Sequence, residues 1–195
     1  PSSITDNSFS VTATNADGCI STSSVSIIVN DLPTVEASIN LSEICLGESV
    51  DISATPGLVS YTWNPSVITG SNGTYTPSLG ETSFNVVGVD ANGCINSDNV
   101  SLVINEIPTL DLLVNGSTTT TICLGESIDL QATSGLTLYE WTPNVVTNEG
   151  DLYTPTSLIE TDYSVTATDA NGCQNTDDVN ITINNIPNPG PIIFN

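Results

Sequence analysis

The chain runs to 195 residues with 22 Asp and Glu and not one Lys, Arg or His, so its formal charge is −22. Without a cation it has nothing to exchange for the counterions of a nucleic acid or of an anionic membrane surface, and it can form no side-chain ion pair of its own. No apolar run approaches the length needed to cross a bilayer. Without ion pairs, stability must come from apolar burial, backbone ladders and covalent or metal staples.

Self-comparison fixes the organisation, because the chain repeats itself. Residues 1–32 read as the last third of one unit, with Phe9 and Val11 alternating toward the turn signal Asn15-Ala16-Asp17-Gly18-Cys19 and a closing Asn30-Asp31-Leu32-Pro33. Residues 33–107 read as a complete unit. It carries Ile44-Cys45-Leu46-Gly47-Glu48-Ser49, an alternating strand Val50-Asp51-Ile52-Ser53-Ala54, and Trp63 eighteen residues after Cys45. Phe84 and Val86 then lead into Asp90-Ala91-Asn92-Gly93-Cys94, and Val100, Leu102 and Ile104 lead away from it. Residues 108–187 repeat the plan, with an identical hexapeptide around Cys123, alternating Ile128, Leu130 and Ala132, Trp141, Tyr163 and Asp169-Ala170-Asn171-Gly172-Cys173. Residues 188–195 begin a further linker or repeat.

Nothing reads as helix. Thr and β-branched residues dominate, Gly and Pro punctuate every eight to twelve residues, and the Asn-Gly and Asp-Gly pairs supply the positive φ values that a tight hairpin needs. About seven short strands per unit, one Trp and a final hairpin specify all-β, immunoglobulin-like Greek-key sandwiches. The short Pro-containing linkers set such sandwiches end to end with little freedom. Trp63, Trp141, Phe84 and Tyr163 fall at repeated positions expected in the core.

Cys45-Leu-Gly-Glu-Ser-Val50, Tyr61-Thr-Trp63, Thr76-Pro77 and Val89-Asp-Ala-Asn-Gly-Cys94 together resemble the immunoglobulin-like and PKD-like repeats of giant surface proteins of Bacteroidota. That resemblance implies export by type IX secretion and a place in an adhesin, a gliding-associated filament or another appendage. The Trp-x-Phe-Gly-Asp-Gly element of PKD domains proper is missing after Trp63, and no C-terminal sorting domain follows Pro187.

Five cysteines without a Cys-x-x-Cys pair read as disulfides of an oxidising compartment rather than as a thiolate metal site. Two pairings are open. Within each unit the bonds would be Cys45–Cys94 and Cys123–Cys173. The corner before the second strand and the tip of the last hairpin, however, lie at opposite ends of such a sandwich, about 23 Å apart for a strand of roughly seven residues. A disulfide needs Cα atoms about 4.4–6.8 Å apart. A bond between units, Cys45–Cys173, is therefore favoured, with Cys19, Cys94 and Cys123 bridging to repeats outside this stretch.

Other chemistry has little to stand on. Asp90 with Asn92, and Asp169 with Asn171, are the candidate Ca²⁺ ligands, although Asp and Asn are also good turn residues. Without His or Lys, acid–base work would fall to carboxylates, Tyr or Cys, and the recurring acids sit in turns and on outward strand faces, so no enzyme is expected. Repeating aromatics read as packing rather than as a sugar platform, and only Phe194 falls outside the repeat. The expectation is an extracellular, cell-surface rod or filament that attaches mechanically, partnered by neighbouring repeats and copies of itself. An array of carbohydrate- or protein-binding modules, with a glycan or cell-surface ligand, is the alternative.

Overall fold

The structure, a computed structural model, describes residues 8–191. The chain divides into two compact units, residues 1–104 and 105–195, and among the described residues every regular element is a strand.

The first unit opens with β1 (Ser8–Thr14) and β2 (Ile20–Ser26), an antiparallel hairpin that forms a two-stranded sheet of its own. The sandwich that follows is built from β3 (Ala37–Ile39), β4 (Glu43–Cys45), β5 (Val50–Ala54), β6 (Ser60–Asn64), β7 (Asn72–Tyr75), β8 (Ser83–Val89), β9 (Ile95–Ser101) and β10 (Val103–Asn105). One sheet has the order β3-β5-β7 and the other β6-β8-β9, while β4 pairs with β10. The second unit repeats this with β11 (Leu112–Val114), β12 (Thr119–Cys123), β13 (Ile128–Ala132), β14 (Leu138–Thr142), β15 (Gly150–Tyr153), β16 (Asp162–Thr168) and β17 (Gln174–Asn184). Its sheets are β11-β13-β15 and β12-β17-β16-β14. The first strand of the second sheet, β12, runs parallel to the last strand of the chain's fold, β17, whereas β11–β13, β13–β15, β14–β16 and β16–β17 are antiparallel.

This is the immunoglobulin-like strand order, a split first strand that serves both sheets around a Greek key. Alternation produces it. Val50, Ile52 and Ala54 turn inward while Asp51 and Ser53 face out, and Ile128 and Leu130 do the same in the second unit. Two separate cores result. Val50, Ile52, Trp63, Phe84, Val86 and Leu102 lie at the centre of one, and Leu112, Val114, Ile128, Leu130, Trp141, Tyr163, Val165 and Ile181 at the centre of the other. Each fully buried Val, Leu or Ile contributes about 1.5–3 kcal/mol before the entropy of ordering is counted.

One difference between the units follows from partner switching by the last strand. In the second unit β17 runs without interruption from its pairing with β16 onto its pairing with β12. In the first, Leu102 belongs to neither strand and the Val103 N–H turns to the Ser42 carbonyl, although the Leu102 N–H donates to Thr82 just as the Ile181 N–H donates to Thr161 in the second unit. The chain there counts as two strands, β9 and β10.

Candidate functional site

With no cation in the chain, the carboxylates find other employment: they accept hydrogen bonds from backbone N–H groups, a charge-assisted contact stronger than a neutral one. The repeated Cys-Leu-Gly-Glu segment shows how. Gly47 takes φ +96° and Gly125 φ +91°, a left-handed turn position that favours glycine. The Glu48 N–H donates to the Cys45 carbonyl at 3.1 Å, and the Cys45 N–H donates back to the Glu48 carboxylate at 2.9 Å. Cys123 and Glu126 repeat the pair at 3.0 and 2.8 Å. The Cys-Leu-Gly-Glu segment is thus a closed turn that holds a cysteine at its first position.

The hairpin cysteines are held in the same manner. Oδ1 of Asp90 accepts the N–H groups of Asn92 (2.9 Å) and Cys94 (2.8 Å), and Oδ1 of Asp169 accepts those of Asn171 (2.9 Å) and Cys173 (2.8 Å). Asn15 does this with its amide oxygen for Asp17 and Cys19. These loops differ from the two-residue Asn-Gly turn that the sequence suggests. Gly18, Gly93 and Gly172 have positive φ, but Asp17, Asn92 and Asn171 do not. The Asp90 N–H donates to the Cys94 carbonyl and the Gly93 N–H returns to Asp90. The loop therefore has three residues, with glycine in the bulge position.

This arrangement also places the candidate Ca²⁺ ligands. One oxygen of Asp90 and one of Asp169 are committed to their own turns, and Asn92 and Asn171 enter through backbone N–H. No group of three or more His, Cys, Asp and Glu side chains that could hold a metal ion gathers among the described residues.

Cys45 and Cys173 are disulfide-bonded, whereas Cys19, Cys94 and Cys123 are thiols. The two within-unit bonds, Cys45–Cys94 and Cys123–Cys173, are accordingly not formed. Each unit's cysteines stand at different turns, one before β5 or β13 and the other at the hairpin tip.

The tryptophans and tyrosines each have a structural partner. The indole N–H of Trp63 donates to the Gly70 carbonyl at 3.0 Å and that of Trp141 to Asn148 at 2.8 Å. Tyr61 and Tyr139 donate to the carbonyls of Thr55 and Thr133, both at 2.8 Å. Tyr75 and Tyr153 donate to the carboxylates of Glu81 and Glu160. Both glutamates stay below the usual carboxylate range, chiefly because Ser78 and Thr156 donate backbone N–H groups to them. Tyr163 adds a tyrosine corner, its hydroxyl donating to the Glu160 carbonyl at 2.8 Å. Phe84, at the same place in the first unit, makes no such bond. Among the described residues only Phe9 leaves an aromatic ring largely exposed; Phe194 lies outside the described residues.

Sequence reasoning missed a pair of anchors that the topology creates. Asp98 on β9 accepts the Ala37 N–H at 2.8 Å and Asp177 on β17 accepts the Leu112 N–H at 2.7 Å. Asn96 and Asn175 donate to the carbonyls of Pro33 and Pro108, both at 2.9 Å. The last strand of each sandwich thereby grips its leading segment. The repeated Asn-x-Asp at 96–98 and 175–177 was the available signal. A shallow open depression beside Pro143 brings Asp162 and Asp178 to one surface, where the first unit has Ser83 and Asn99. Asp162 is already engaged by Asn180 at 2.6 Å and by the Thr161 hydroxyl at 3.0 Å.

No protein-family model matches the chain, and no curated protein matches it at a significant level. Among solved structures it is similar to the N-terminal eight immunoglobulin domains of Down syndrome cell adhesion molecule, with TM-score 0.47 and 12% identity over 92% of this chain. The chain spans only 28% of the length of that structure. The insect immune protein hemolin gives TM-score 0.38 and 12% identity over 91% of this chain and 56% of its own. Three N-terminal domains of the highly immunogenic outer capsid protein of bacteriophage RB49 give 0.38 and 16%, over 77% and 59%. The immunoglobulin-like assignment of each unit stands on its own strand order.

Proposed function

We propose that the chain is a stretch of an extracellular, cell-surface rod or filament in which immunoglobulin-like sandwiches follow one another end to end and hold a cell to a surface or to another cell. The observation that carries this reading is the equivalence of the two units. Both have the same core pattern, the same carboxylate-closed cysteine turn and the same anchored leading segment, so what is repeated is a body rather than a reaction site. The repeating boundaries are 33–107 and 108–187.

On this reading Cys45 of one sandwich is bonded to Cys173 of the next. The division of the five cysteines into one oxidised pair and three thiols supports that bond. Cys19, Cys94 and Cys123 meet the corresponding cysteines of repeats outside this stretch, so that every junction is stapled. Disulfides support an oxidising compartment for the rod, and the motifs of its repeats favour type IX export in Bacteroidota. Partners are neighbouring repeats and further copies laid side by side; acidic surfaces of this density stay soluble until cations screen them.

Two measurements test the proposal. A non-reducing peptide map with an acid-specific protease is expected to return one linked pair, Cys45 with Cys173; a Cys45–Cys94 pair defeats the stapled junction. Electron micrographs of the native particle are expected to show rods of uniform width, and globular particles would defeat the rod itself.

A further inference from the structure

Four Asn-Gly pairs occur in the chain, at 72–73, 92–93, 115–116 and 171–172. This dipeptide can modify itself. The glycine nitrogen, unhindered by a side chain, attacks Cγ of the asparagine, ammonia leaves, and water opens the resulting cyclic imide to aspartate or isoaspartate. The ring closure needs two freedoms: the asparagine side chain must turn toward its own backbone, and the glycine nitrogen must leave any hydrogen bond it makes. The fold grants these unequally. Asn115 has φ +52°, its Oδ1 accepts the Asp129 N–H at 2.8 Å, and its own N–H donates to the Asp129 carbonyl at 2.8 Å, so its side chain and backbone are pinned together to β13. Asn72 and Gly73 lie in β7, opposite Ser53 and Ile52. The Ala54 N–H donates to the Ser71 carbonyl, and the alternation of an antiparallel ladder then directs the Gly73 N–H to Ile52. Gly73 is also packed against the Ile68 side chain.

The two hairpin tips differ. Asn92 and Asn171 are exposed, and each is held only through its backbone N–H, by Asp90 or Asp169, so that the side-chain amide is free to turn. Gly93 and Gly172 are exposed as well, with nothing within 4 Å of the place a Cβ would take. One backbone bond restrains each glycine nitrogen, to the Asp90 carbonyl at 3.1 Å and to the Asp169 carbonyl at 3.3 Å. It belongs to a short loop and not to a ladder, so opening of the tip alone releases it. The first hairpin shows what such a tip tolerates. Asp17 stands where its sisters have asparagine, and the turn is kept, with Asn15 Oδ1 accepting the Asp17 and Cys19 N–H groups at 3.0 and 2.8 Å.

We propose that Asn92 and Asn171 are the sites of self-catalysed deamidation in the folded chain, a slow modification of the tips that carry Cys94 and Cys173. Its two products act differently. Aspartate reproduces the turn seen at Asp17 and adds one negative charge. Isoaspartate routes the main chain through an extra carbon between the two N–H groups that one oxygen of Asp90 or Asp169 bridges. The clamp on the cysteine N–H is then lost, and the tip loosens where the cysteine is held.

The test incubates the whole chain at mildly alkaline pH, folded and in parallel unfolded in urea, and follows its acid-specific protease peptides by mass spectrometry. Enzymatic methylation of isoaspartyl carboxyls marks that product. In the folded chain Asn92 and Asn171 are expected to convert at least about tenfold faster than Asn72 and Asn115, because a loop opens more readily than a ladder. In urea the four rates are expected to draw together, since the dipeptide is the same. Asp169→Ala, which frees one tip, is expected to speed conversion at Asn171 by about tenfold while Asn92 and Asn115 keep their rates; a general loosening of the second unit would speed Asn115 as well. Equal folded rates at all four pairs, hairpin tips that stay unmodified, or a ranking that persists in urea overturns the proposal.

Discussion

Replacing Tyr163 with Phe removes one hydroxyl from the second core and leaves the ring in place. Tyr163 is 1% exposed, its ring meets Tyr153 edge-on at 6.0 Å, and its hydroxyl donates to the Glu160 carbonyl at 2.8 Å. The Glu160 carboxylate is held separately by the Thr156 N–H and the Tyr153 hydroxyl, so the corner keeps its shape when the bond is lost. The cost is then one neutral hydrogen bond, about 1 kcal/mol. With a urea m-value of about 1 kcal/mol/M for a unit of this size, the midpoint of the second unit falls by about 1 M. The first unit, which has Phe84, does not move. Each unit has a single tryptophan, so urea titrations followed by emission separate them: a Trp63→Phe background reports Trp141, and Trp141→Phe reports Trp63. The pH dependence gives a second readout. Burial first, then the charges of Tyr153 and Glu160, push the Tyr163 phenol up to about 12. The unfolded chain, with an ordinary value of about 10, gives up this proton first. The phenol's contribution is therefore whole below pH 10 and is lost as pH climbs toward 12, and Tyr163→Phe removes that part of the alkaline slope. An unchanged midpoint, or an equal shift in both units, would refute the tyrosine corner as the source.

Four further substitutions test the packing, the turns and the anchors. Gly150→Ala, at φ +152° with the new Cβ driven into the Leu130 carbonyl oxygen, is expected to cost more than about 3 kcal/mol in the urea unfolding of the second unit. Gly88→Ala meets only the end of Leu58 and Val35 side chains, and Ala167 already occupies the matching place, so its thermal midpoint is expected to drop only slightly. Asp169→Ala frees two N–H groups and is expected to lower the urea midpoint of the second unit by about 1–2 kcal/mol equivalent, with Asp169→Asn restoring most of it because Asn15 makes the same turn. Donation from Ala37 first, and then from Asn99, holds the Asp98 carboxyl below its ordinary 3.8. Its contribution is thus present above that pH and lost as pH falls through the lower folded value. Following Trp63 emission, Asp98→Asn is expected to flatten the acid limb of the first unit, and an unchanged limb would remove Asp98 from the account.

Strand alternation made the fold legible, because Val50-Asp51-Ile52-Ser53-Ala54 and its sister offer only one apolar face and a one-residue slip would expose it. The sandwich class followed from recurrence of that pattern between turn signals. The hairpin loops were not legible in detail, since Asp-Ala-Asn-Gly satisfies both a two-residue turn and a three-residue loop. The choice is made by the Asp90 side chain reaching two N–H groups at once, which residue propensities do not encode. The grip of Asp98 on Ala37 spans 61 residues and exists only because the topology lays the last strand over the first. Carboxylates such as Glu48 and Glu126 looked like solvated surface groups by composition. In the fold they serve as backbone acceptors, a role visible only when the turn is closed.

The parallel pairing of β12 with β17 has a consequence for tension. With Cys45 and Cys173 reduced, a pull transmitted along the polypeptide draws the start of β12 backward and the end of β17 forward, along the strand axes and in opposite senses. The five pairs from Thr119↔Asn180 to Cys123↔Asn184 are then strained together in shear. A hairpin pulled across its open end would instead unzip one bond after another, each yielding at small force. Once β11 detaches from β13, the second unit must break its whole parallel ladder in one event before it can lengthen, so it stays rigid up to a threshold and then gives way abruptly.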